Sequence, residues 1–482
     1  MNFSAIGYIL GWLLAFFGLA MLFPAVVSFL AYGEDAGAFF ESGASAVFFG
    51  VCLVLMNKGG NRHLSHKDAF LLTFFVWSTL SVIGALPIFF SGMAPTYIDA
   101  LFEAVSGLTT TGASVLSGLD YGHHGVLLWR AMMQWLGGMG LIVLATAIIP
   151  FLGVGGMQLY KAEMPGVVKD KLQPRLKETA KILWVVYLML TFVCAVAYYF
   201  AGMDPFDALC HAFTTLATGG FSTHDQSFAY FNSPLIEYIA VFFMIVGALN
   251  FSLHYLFLAG RGWQVYFKNP EVRGFFLFIF LGIMMMIVSL MLTKAMTFAE
   301  AFRQTTFNMT SVITTTGFSS VDYSTWPVLI LIIVMILMFI GGCSGSTAGG
   351  MKVLRVLLIM KQGGRELQRL IHPNGVVHVK MGDQVVRSEV IQAVWSFAGL
   401  YISCFVAITV ALTLFNLDIV TAYSAAGATL TGLGPGLGEV GPSSNYADIP
   451  QGAKLLLCFS MLLGRLELFT LLVIMTPSFW KK

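Results

Sequence analysis

Four short segments decide the fold that this sequence predicts. They are DALFEAVSGLTTTG (99–112), DALCHAFTTLATGG (207–220), QTTFNMTSVITTTG (304–317) and TAYSAAGATLTGLG (421–434), and each ends in glycine. A helix needs about 20 apolar residues to cross the hydrocarbon core, so segments of this length are too short to span it. We therefore interpret them as re-entrant half-helices. Each is followed by an extended return, which survives at membrane depth only where protein or a water-filled cavity satisfies its backbone.

Long apolar runs flank the four segments on both sides. The chain is 57% hydrophobic and only 10% charged, whereas soluble proteins carry roughly 25% charged residues. Ten spans are predicted, at 5–30, 38–56, 69–91, 126–152, 180–201, 234–258, 274–293, 326–342, 389–415 and 453–476. Basic loops remain in the cytoplasm, which places both termini on that side. The sequence thus predicts an all-α polytopic membrane protein with no separate soluble domain.

The repeats divide the chain into five parts around one pore in a pseudo-fourfold arrangement. Two leading helices come first, and four helix–half-helix–helix units follow them. The predicted boundaries are 1–66 for the leading segment, 67–155 for repeat one, 156–260 for repeat two, 261–355 for repeat three with an intramembrane loop, and 356–482 for repeat four.

The extended stretches after the half-helices have the composition of a cation filter. A half-helix that enters from outside points its partially negative C-terminal end at the bilayer centre. Backbone carbonyls can replace the hydration shell of an ion, and glycine allows the positive φ angles that such a loop requires. The candidate ligands are Thr110, Thr111, Gly112, Thr218, Gly219, Gly220, Thr315, Thr316, Gly317, Gly432, Leu433 and Gly434.

A blander interpretation is that small-residue strings only let membrane helices pack closely. One string would fit that interpretation, but four strings at matching positions favour a pore. The candidate ligand residues include no carboxylate, whereas multivalent-cation pores usually use rings of Asp or Glu. They include no Lys or Arg, which an anion pore would use. A monovalent cation, above all potassium, is therefore the predicted ion. Asp99 and Asp207, near the half-helix starts, are expected to be N-caps. Alternatively they draw cations to the outer mouth, together with Asp120, Asp225 and Asp322.

A candidate gate follows the eighth span in the segment GGCSGSTAGG (341–350). Five glycines and three Ser or Thr residues within ten positions disfavour a helix, since each glycine costs roughly 1 kcal/mol. We predict a helix broken inside the membrane and a polar loop below the filter. The alternative is that the helix ends at the cytoplasm, because Lys352 and Arg355 follow soon after. The gate residues are Gly341, Gly342, Cys343, Ser344, Gly345, Ser346, Thr347, Gly349 and Gly350.

Arg465 is the second gate candidate, within MLLGRLELFTLL of the last span. A charge there costs at least about 2.5–3.5 kcal/mol on insertion scales, so it normally faces protein or water. We expect it to line the cavity beneath the filter and to hydrogen-bond the loop. A structural pair with Glu467 is the alternative, although residues two apart on a helix do not face each other.

Two other classes of function fit the sequence less well. An alternating-access symporter, moving potassium with a proton or sodium, would use broken helices but in inverted or paired repeats. A membrane enzyme is not expected, because no nucleophile–base cluster or metal-ligand set is found. The six cysteines lie in or beside apolar runs without CxxC spacing and are expected to be reduced.

Several motifs together resemble one family. They are the four filter strings, GGCSGSTAGG, GVGGMQLYKAEMPG (153–166), GGFSTHD (219–225), LGPGLG (433–438) and GRLELFTLL (464–472). In combination they are similar to the bacterial Trk/Ktr/HKT potassium-transporter superfamily, in its TrkH/TrkG branch. The resemblance maps the family's filter glycines onto Gly112, Gly220, Gly317 and Gly434, and its pore-facing arginine onto Arg465. Repeat four departs from the others with Gly432 and Leu433, so the resemblance does not define the ligand geometry of that repeat.

The resemblance also implies partners and a location. It implies potassium uptake across the bacterial inner membrane by a homodimer, with control by a cytoplasmic ring of TrkA-type subunits. A nucleotide (ATP/ADP or NAD) would act only through that partner, and this chain would hold no cofactor besides the transported potassium. The basic inside face, chiefly 161–181 and 352–387, is the expected docking surface. Anionic lipid binding and topology setting are the alternatives, and no nucleic-acid partner is expected.

Overall fold

The apolar runs form helices in the computed structural model, which describes residues 1–30, 35–60, 64–148 and 176–481. The leading segment contains α1 (Phe3–Ala20), α2 (Leu22–Leu30) and α3 (Ala36–Met56). Repeat one contains α4 (His66–Phe90), α5 (Tyr97–Leu108) and α6 (His124–Ile148). Repeat two contains α7 (Leu176–Phe200), α8 (Pro205–Leu216), α9 (Pro234–Ala248) and α10 (Phe251–Leu256). The predicted boundary between repeats one and two, at 155/156, lies outside the described residues.

The second half of the chain repeats this order. After α11 (Gln264–Phe267), repeat three contains α12 (Pro270–Lys294), α13 (Phe298–Ile313) and α14 (Val328–Ile340). A connecting segment follows with α15 (Val353–Ile371) and a small antiparallel hairpin, β1 (Lys380–Met381) and β2 (Gln384–Val385). Repeat four contains α16 (Ser388–Thr413), α17 (Ile419–Thr431), α18 (Gln451–Arg465) and α19 (Phe469–Met475), and α20 (Pro477–Trp480) ends the chain.

The helices α5, α8, α13 and α17 are the four predicted half-helices. Each begins at a residue whose side-chain oxygen accepts a backbone N–H of the first turn, namely Thr96, Asp204, Thr297 and Asp418. Such caps satisfy donors that a helix start leaves unpaired. The prediction that Asp99 and Asp207 are N-caps is therefore wrong, because both lie inside the first turn.

Six described helices are long and apolar enough to cross a membrane, or up to eight if two sharply bent helix pairs each count as one span. The bent pairs are α9 with the segment starting at Phe251 (98°) and α18 with α19 (117°). With α6 and the shorter α14, these elements account for the ten predicted spans. The predicted all-α fold is confirmed, but the sixth and tenth spans, expected to be continuous, are broken.

The break in the sixth span has a tertiary cause. At the end of α9 the carbonyl of Ala248 accepts the N–H of Cys343 at 2.9 Å, and Phe251 N–H donates to the carbonyl of Gly345 at 3.1 Å. Asn250 between them caps α10 by accepting from Ser252 N–H at 2.8 Å. Backbone groups that a continuous helix would pair internally are thus paired with the segment 341–350, which satisfies them at membrane depth.

Candidate filter, loop and cavity

The four half-helices end with the same backbone turn. In each, the N–H of the second filter residue donates to the carbonyl five residues back at 2.9 Å, which closes the helix in a Schellman-like turn. The four bonds run from Thr111 to Ser106, Gly219 to Thr214, Thr316 to Ser311 and Leu433 to Ala428. The repeat seen in the sequence is therefore a repeat of backbone geometry, and repeat four shares it.

The first filter residue of every repeat adopts a left-handed conformation. Its φ is 54° at Thr110, 50° at Thr218, 54° at Thr315 and 74° at Gly432. A β-branched residue with positive φ is a genuine outlier, and strain of this kind costs on the order of 1–3 kcal/mol unless the surroundings over-determine it. Gly432 thus replaces threonine where glycine is the residue best suited to the backbone. The departure of repeat four from the other strings preserves the shape of its loop.

The closing glycines join the four repeats into a ring. Their φ values are 81°, 81°, 85° and 91° in chain order. A Cβ built on Gly112 would lie 2.1 Å from the carbonyl oxygen of Gly219, and one on Gly220 would lie 1.9 Å from that of Thr316. On Gly317 it would lie 2.1 Å from the oxygen of Leu433, and on Gly434 it would lie 2.6 Å from that of Thr111. Each repeat therefore contacts the next, and the fourth contacts the first, with no space for a side chain.

Side chains of the half-helices bind the extended segment that follows the closing glycine of each repeat. Glu103 accepts from Ser114 Oγ–H and Val115 N–H, both at 3.0 Å, and His211 Nε2 lies 3.0 Å from Ser222 Oγ. Glu103 and His211 each lie nine residues before the closing glycine. The same position in repeat three is Asn308, which binds Ser320 through both amide atoms. In repeat four Ser424, one residue earlier, exchanges hydrogen bonds with the backbone of Leu437 at 2.9 and 3.0 Å.

These supporting residues were not predicted, although three of them occupy one column of the aligned segments. Two further supports come from α6. Arg130 Nε lies 2.6 Å from Glu103 Oε1, and its Nη1 donates to the carbonyl of Ser222 at 3.0 Å. Gln134 donates to the carbonyl of Gly219 at 2.7 Å and accepts from Phe221 N–H at 3.1 Å. Repeat one thereby supports the filter of repeat two.

Replacing Glu103 with alanine should destabilise the protein strongly. The Arg130 and Glu103 side chains are 2% and 0% exposed, so the change leaves a buried guanidinium without its carboxylate, a loss of about 3–5 kcal/mol. Thermal unfolding in detergent micelles measures the effect. The control is Glu366→Ala, which removes a carboxylate from an exposed pair and should change stability by no more than about 0.5 kcal/mol. Equal melting temperatures for the two variants would contradict the assignment.

A cavity of about 90 Å³ borders the closing glycines of the first three repeats, Gly112, Gly220 and Gly317. Three of the acidic residues expected at the outer mouth lie in or near it with structural partners. The carboxylate of Asp225 accepts the N–H groups of Gly118 and Leu119 at 2.9 and 3.2 Å. His224 lies between the other two, with Nδ1 2.6 Å from Asp120 and Nε2 3.0 Å from Asp207.

The contact of His224 with Asp120 and Asp207 joins repeats one and two, and its strength depends on pH. Burial alone would lower the pKa of His224, but hydrogen bonds to the carboxylates of Asp207 and Asp120 outweigh it and raise the pKa above its ordinary value. Because both ring nitrogens face carboxylates, the doubly protonated ring satisfies both. A raised folded-state pKa adds stability that is complete below the unfolded value, about 6.5. That stability is lost as pH rises through the folded value.

His224→Gln should therefore lose more thermal stability relative to the parent at pH 6 than at pH 8.5. The measurement is the melting temperature of both proteins across that range. His378→Gln, at an exposed histidine, is the control for general pH effects. A stability difference that stays constant with pH would rule out a charged His224 between Asp120 and Asp207.

The segment 341–350, predicted as an intramembrane loop and called by that name from here on, is irregular. It contacts the filter ends of three repeats. Thr347 Oγ–H donates to the carbonyl of Leu216 at 3.0 Å, Gly349 N–H donates to Thr315 Oγ1 at 2.6 Å, and Gly350 N–H donates to the carbonyl of Thr431 at 2.8 Å. The alternative that α14 simply ends at the cytoplasm is wrong, because the chain turns back under the filter before α15 begins.

The two ends of the intramembrane loop touch each other. Gly341 and Gly350 have φ of 74° and 75°, and a Cβ on Gly341 would lie 2.2 Å from the carbonyl oxygen of Gly349. Another carboxylate, not singled out from the sequence, fixes this arrangement. Glu271 of α12 accepts from Ser344 N–H at 2.6 Å and from Leu354 N–H at 3.2 Å. It therefore joins the loop to the first turn of α15.

Arg465 also binds the loop. Its Nη1 donates to the carbonyl of Thr347 and its Nη2 to the carbonyl of Gly137 in α6, both at 3.0 Å. The alternative pairing of Arg465 with Glu467 is wrong, since Glu467 binds Arg355 at 2.8 Å. Arg465, Glu467 and Lys352 line a cavity of about 30 Å³ between the filter ends and the loop. Arg355 lines it as well, so three cationic side chains, Lys352, Arg355 and Arg465, surround this space.

The described residues contain no group of three or more His, Cys, Asp or Glu side chains that could hold a metal ion. What they do contain is a closed ring of backbone at the ends of four half-helices, whose dipoles favour a cation. The fold and this site define a class of membrane protein: an all-α transporter of cations, built from four pore-loop repeats.

The chain belongs to the TrkH family, whose profile, described as cation transport protein, matches residues 36–482. It is 47% identical to the Trk system potassium uptake protein TrkH of Halomonas elongata, and the match covers 100% of both chains. It is 44% identical to the protein of that name from Escherichia coli strain K12, again over 100% of both chains. The crystal structure of the potassium transporter TrkH from Vibrio parahaemolyticus superimposes with a TM-score of 0.93, at 41% identity and 100% coverage of both chains.

Proposed function

We propose that this protein takes up potassium through a selective pore in the bacterial inner membrane. The observation that carries the proposal is the ring of contacts from repeat to repeat at Gly112, Gly220, Gly317 and Gly434. Backbone locked in this way holds carbonyl oxygens at fixed positions, and such oxygens can replace the hydration shell of a dehydrated ion. The full-length relatives that are named as potassium uptake proteins support potassium as that ion.

The candidate ligands are the twelve filter residues of the four strings. Neutral backbone and threonine oxygens suit a monovalent ion, and uptake would be driven by the membrane potential, at about 2.3 kcal/mol per charge per 100 mV. Flux of potassium and of sodium into proteoliposomes tests this directly. A parent protein that carries potassium no faster than empty liposomes, or carries both ions equally, would overturn the proposal.

The intramembrane loop and Arg465 form the proposed gate. Contacts of the loop with Leu216, Thr315 and Thr431 support this role, because a chain bonded to the filter ends of three repeats obstructs the way out. Opening would require those bonds to be replaced by others or by water. The cationic side chains beside the loop add an electrostatic barrier to a departing cation.

Control by a cytoplasmic nucleotide-binding partner and assembly as a homodimer are part of the same proposal. The names of the relatives refer to a Trk system, which supports a transporter of several components. In the basic inside face, α15 presents exposed Lys361 and Arg369. Most of the other expected docking stretch, 161–181, lies outside the described residues. Gating that is unchanged after removal of the partner would contradict the docking part of the proposal.

A further inference from the structure

The chain leaves the intramembrane loop directly into α15. Lys352 is the residue before this helix and has φ of 74°, an uncommon conformation for a residue with a side chain. Its ammonium group donates to the carbonyl of Ala348, four residues back. Because α15 begins one residue later, any displacement of its first turn would pull on the end of the loop.

Two cationic residues, Lys352 and Arg355, lie at the N-terminal end of α15. A helix N-terminus carries partial positive charge, so cations there are unfavourable unless anions compensate them. Two carboxylates from elsewhere in the chain do so. Glu271 accepts the N–H of Leu354, and Glu467 binds Arg355 Nη2 at 2.8 Å. The first turn of α15 is therefore held in place by residues of repeats three and four.

Glu467 belongs to an unusual piece of backbone. It has φ of 54° and the next residue, Leu468, has φ of 25°, at the break where α18 and α19 meet at 117°. Strained residues of this kind persist only where the surrounding structure holds them, and they occur at switch regions. The helix before the break, α18, ends at Arg465, which binds the middle of the loop. One break thus holds both the loop and the helix that follows it.

The Arg355–Glu467 pair differs from a static buried pair in its exposure. The Arg355 side chain is 2% exposed and its guanidinium lies 4.2 Å from the centre of the Phe397 ring, whereas the Glu467 side chain is 35% exposed. Glu467 also lines the cavity beneath the filter. A carboxylate that borders a cavity can leave its partner at a lower cost than one enclosed by packed side chains on every side.

We propose that the Arg355–Glu467 ion pair is a latch: it keeps α15 against the break between α18 and α19, and so keeps the intramembrane loop closed until α15 moves. The latch rests on the proposed gating function of the loop. Its rival is a purely electrostatic role, in which Arg355 and Glu467 matter only through the charge that they place in the cavity.

Two neutralising variants separate the latch from its rival. Arg355→Gln and Glu467→Gln both break the pair, so the latch predicts that both raise the basal potassium flux of the full-length protein in proteoliposomes. We expect an increase of about tenfold, which corresponds to about 1.4 kcal/mol. The electrostatic rival predicts opposite effects, because Glu467→Gln makes the cavity more positive and should lower the flux. A lower flux for Glu467→Gln, or a parental flux for both variants, would overturn the latch.

The charge-swapped double variant Arg355→Glu/Glu467→Arg tests whether the single variants raise the flux only because they misfold. It should bring the basal flux back toward the parental value, which a loss of structure would not do. Failure of the swap to lower the flux below that of the single variants would also count against the latch. Lys58→Gln, which removes an exposed cation of the leading segment, is the control and should leave the flux unchanged.

The same assay keeps the latch distinct from the proposed function. All latch variants should retain the parental ratio of potassium to sodium flux, since the filter is not altered. If the parent conducts potassium selectively but the latch variants behave as the parent, only the latch fails. If the parent shows no selective potassium flux, the proposed function fails as well.

Discussion

Gly317→Ser should reduce the preference for potassium over sodium by roughly tenfold, the factor that corresponds to 1.4 kcal/mol. A Cβ at this position would lie 2.1 Å from the carbonyl oxygen of Leu433 and 2.9 Å from the ring of Pro435. The residue also has φ of 85°, a conformation that costs a residue with a side chain roughly 1–2 kcal/mol. The loops of repeats three and four must then separate, which changes the spacing of the oxygens that select the ion.

The measurement is potassium and sodium flux in proteoliposomes under the same gradients. The matched control is Gly432→Thr, because a Cβ there meets nothing within 4 Å and the other three repeats hold threonine with positive φ at that position. This control should keep most of the parental preference. If Gly317→Ser retains parental selectivity, the ring of filter glycines does not select the ion and the proposed filter is wrong.

Arg465→Ala should raise basal potassium flux by about ten- to a hundredfold. The substitution removes two hydrogen bonds from a charged donor, to Thr347 and Gly137, and such bonds contribute on the order of 1.5–3 kcal/mol each. It also removes a positive charge from the wall of the cavity that, in the proposed function, a cation enters after the filter. Both changes favour an open passage, while the ratio of potassium to sodium flux should stay at the parental value.

Arg465→Lys divides the two contributions. Lysine keeps the charge but lacks the planar fork that reaches two carbonyls in a fixed geometry. If the hydrogen bonds to the loop hold the gate closed, this variant should also conduct faster than the parent. If charge alone limits conduction, it should remain slow. Parental flux in both the alanine and the lysine variant would remove Arg465 from the gate.

The sequence by itself determined the repeated architecture. The segments ending at Gly112, Gly220, Gly317 and Gly434 showed four equivalent half-helices, because their length is too short for a span and their alignment is common to all four. The glycine and serine content of 341–350 likewise indicated that no helix could continue there. These are local properties: span length, hydropathy and the tolerance of glycine for positive φ are set within a few residues, so they can be read without a structure.

Local sequence properties did not reveal residues whose role depends on contacts with distant parts of the chain. Glu103 and His211 lay in one column of the aligned segments, and that column was a usable signal for a support behind the filter. No such signal marked Glu271, because its partners Ser344 and Leu354 lie 73 and 83 residues away in the chain. Charged residues are common near the ends of membrane spans, and nothing local distinguishes one that binds a loop.

Only the tertiary structure decided how the loop is held and where other helices break. The apolar run of the sixth span favours a continuous helix, yet it breaks at Asn250 because the loop offers alternative partners to the carbonyl of Ala248 and the N–H of Phe251. Arg465 and Glu467, two residues apart, bind different elements since the helix ends between them. A hydrogen bond between distant segments exists only once the chain has folded, so composition and spacing determine which segments form, and packing determines which of them meet.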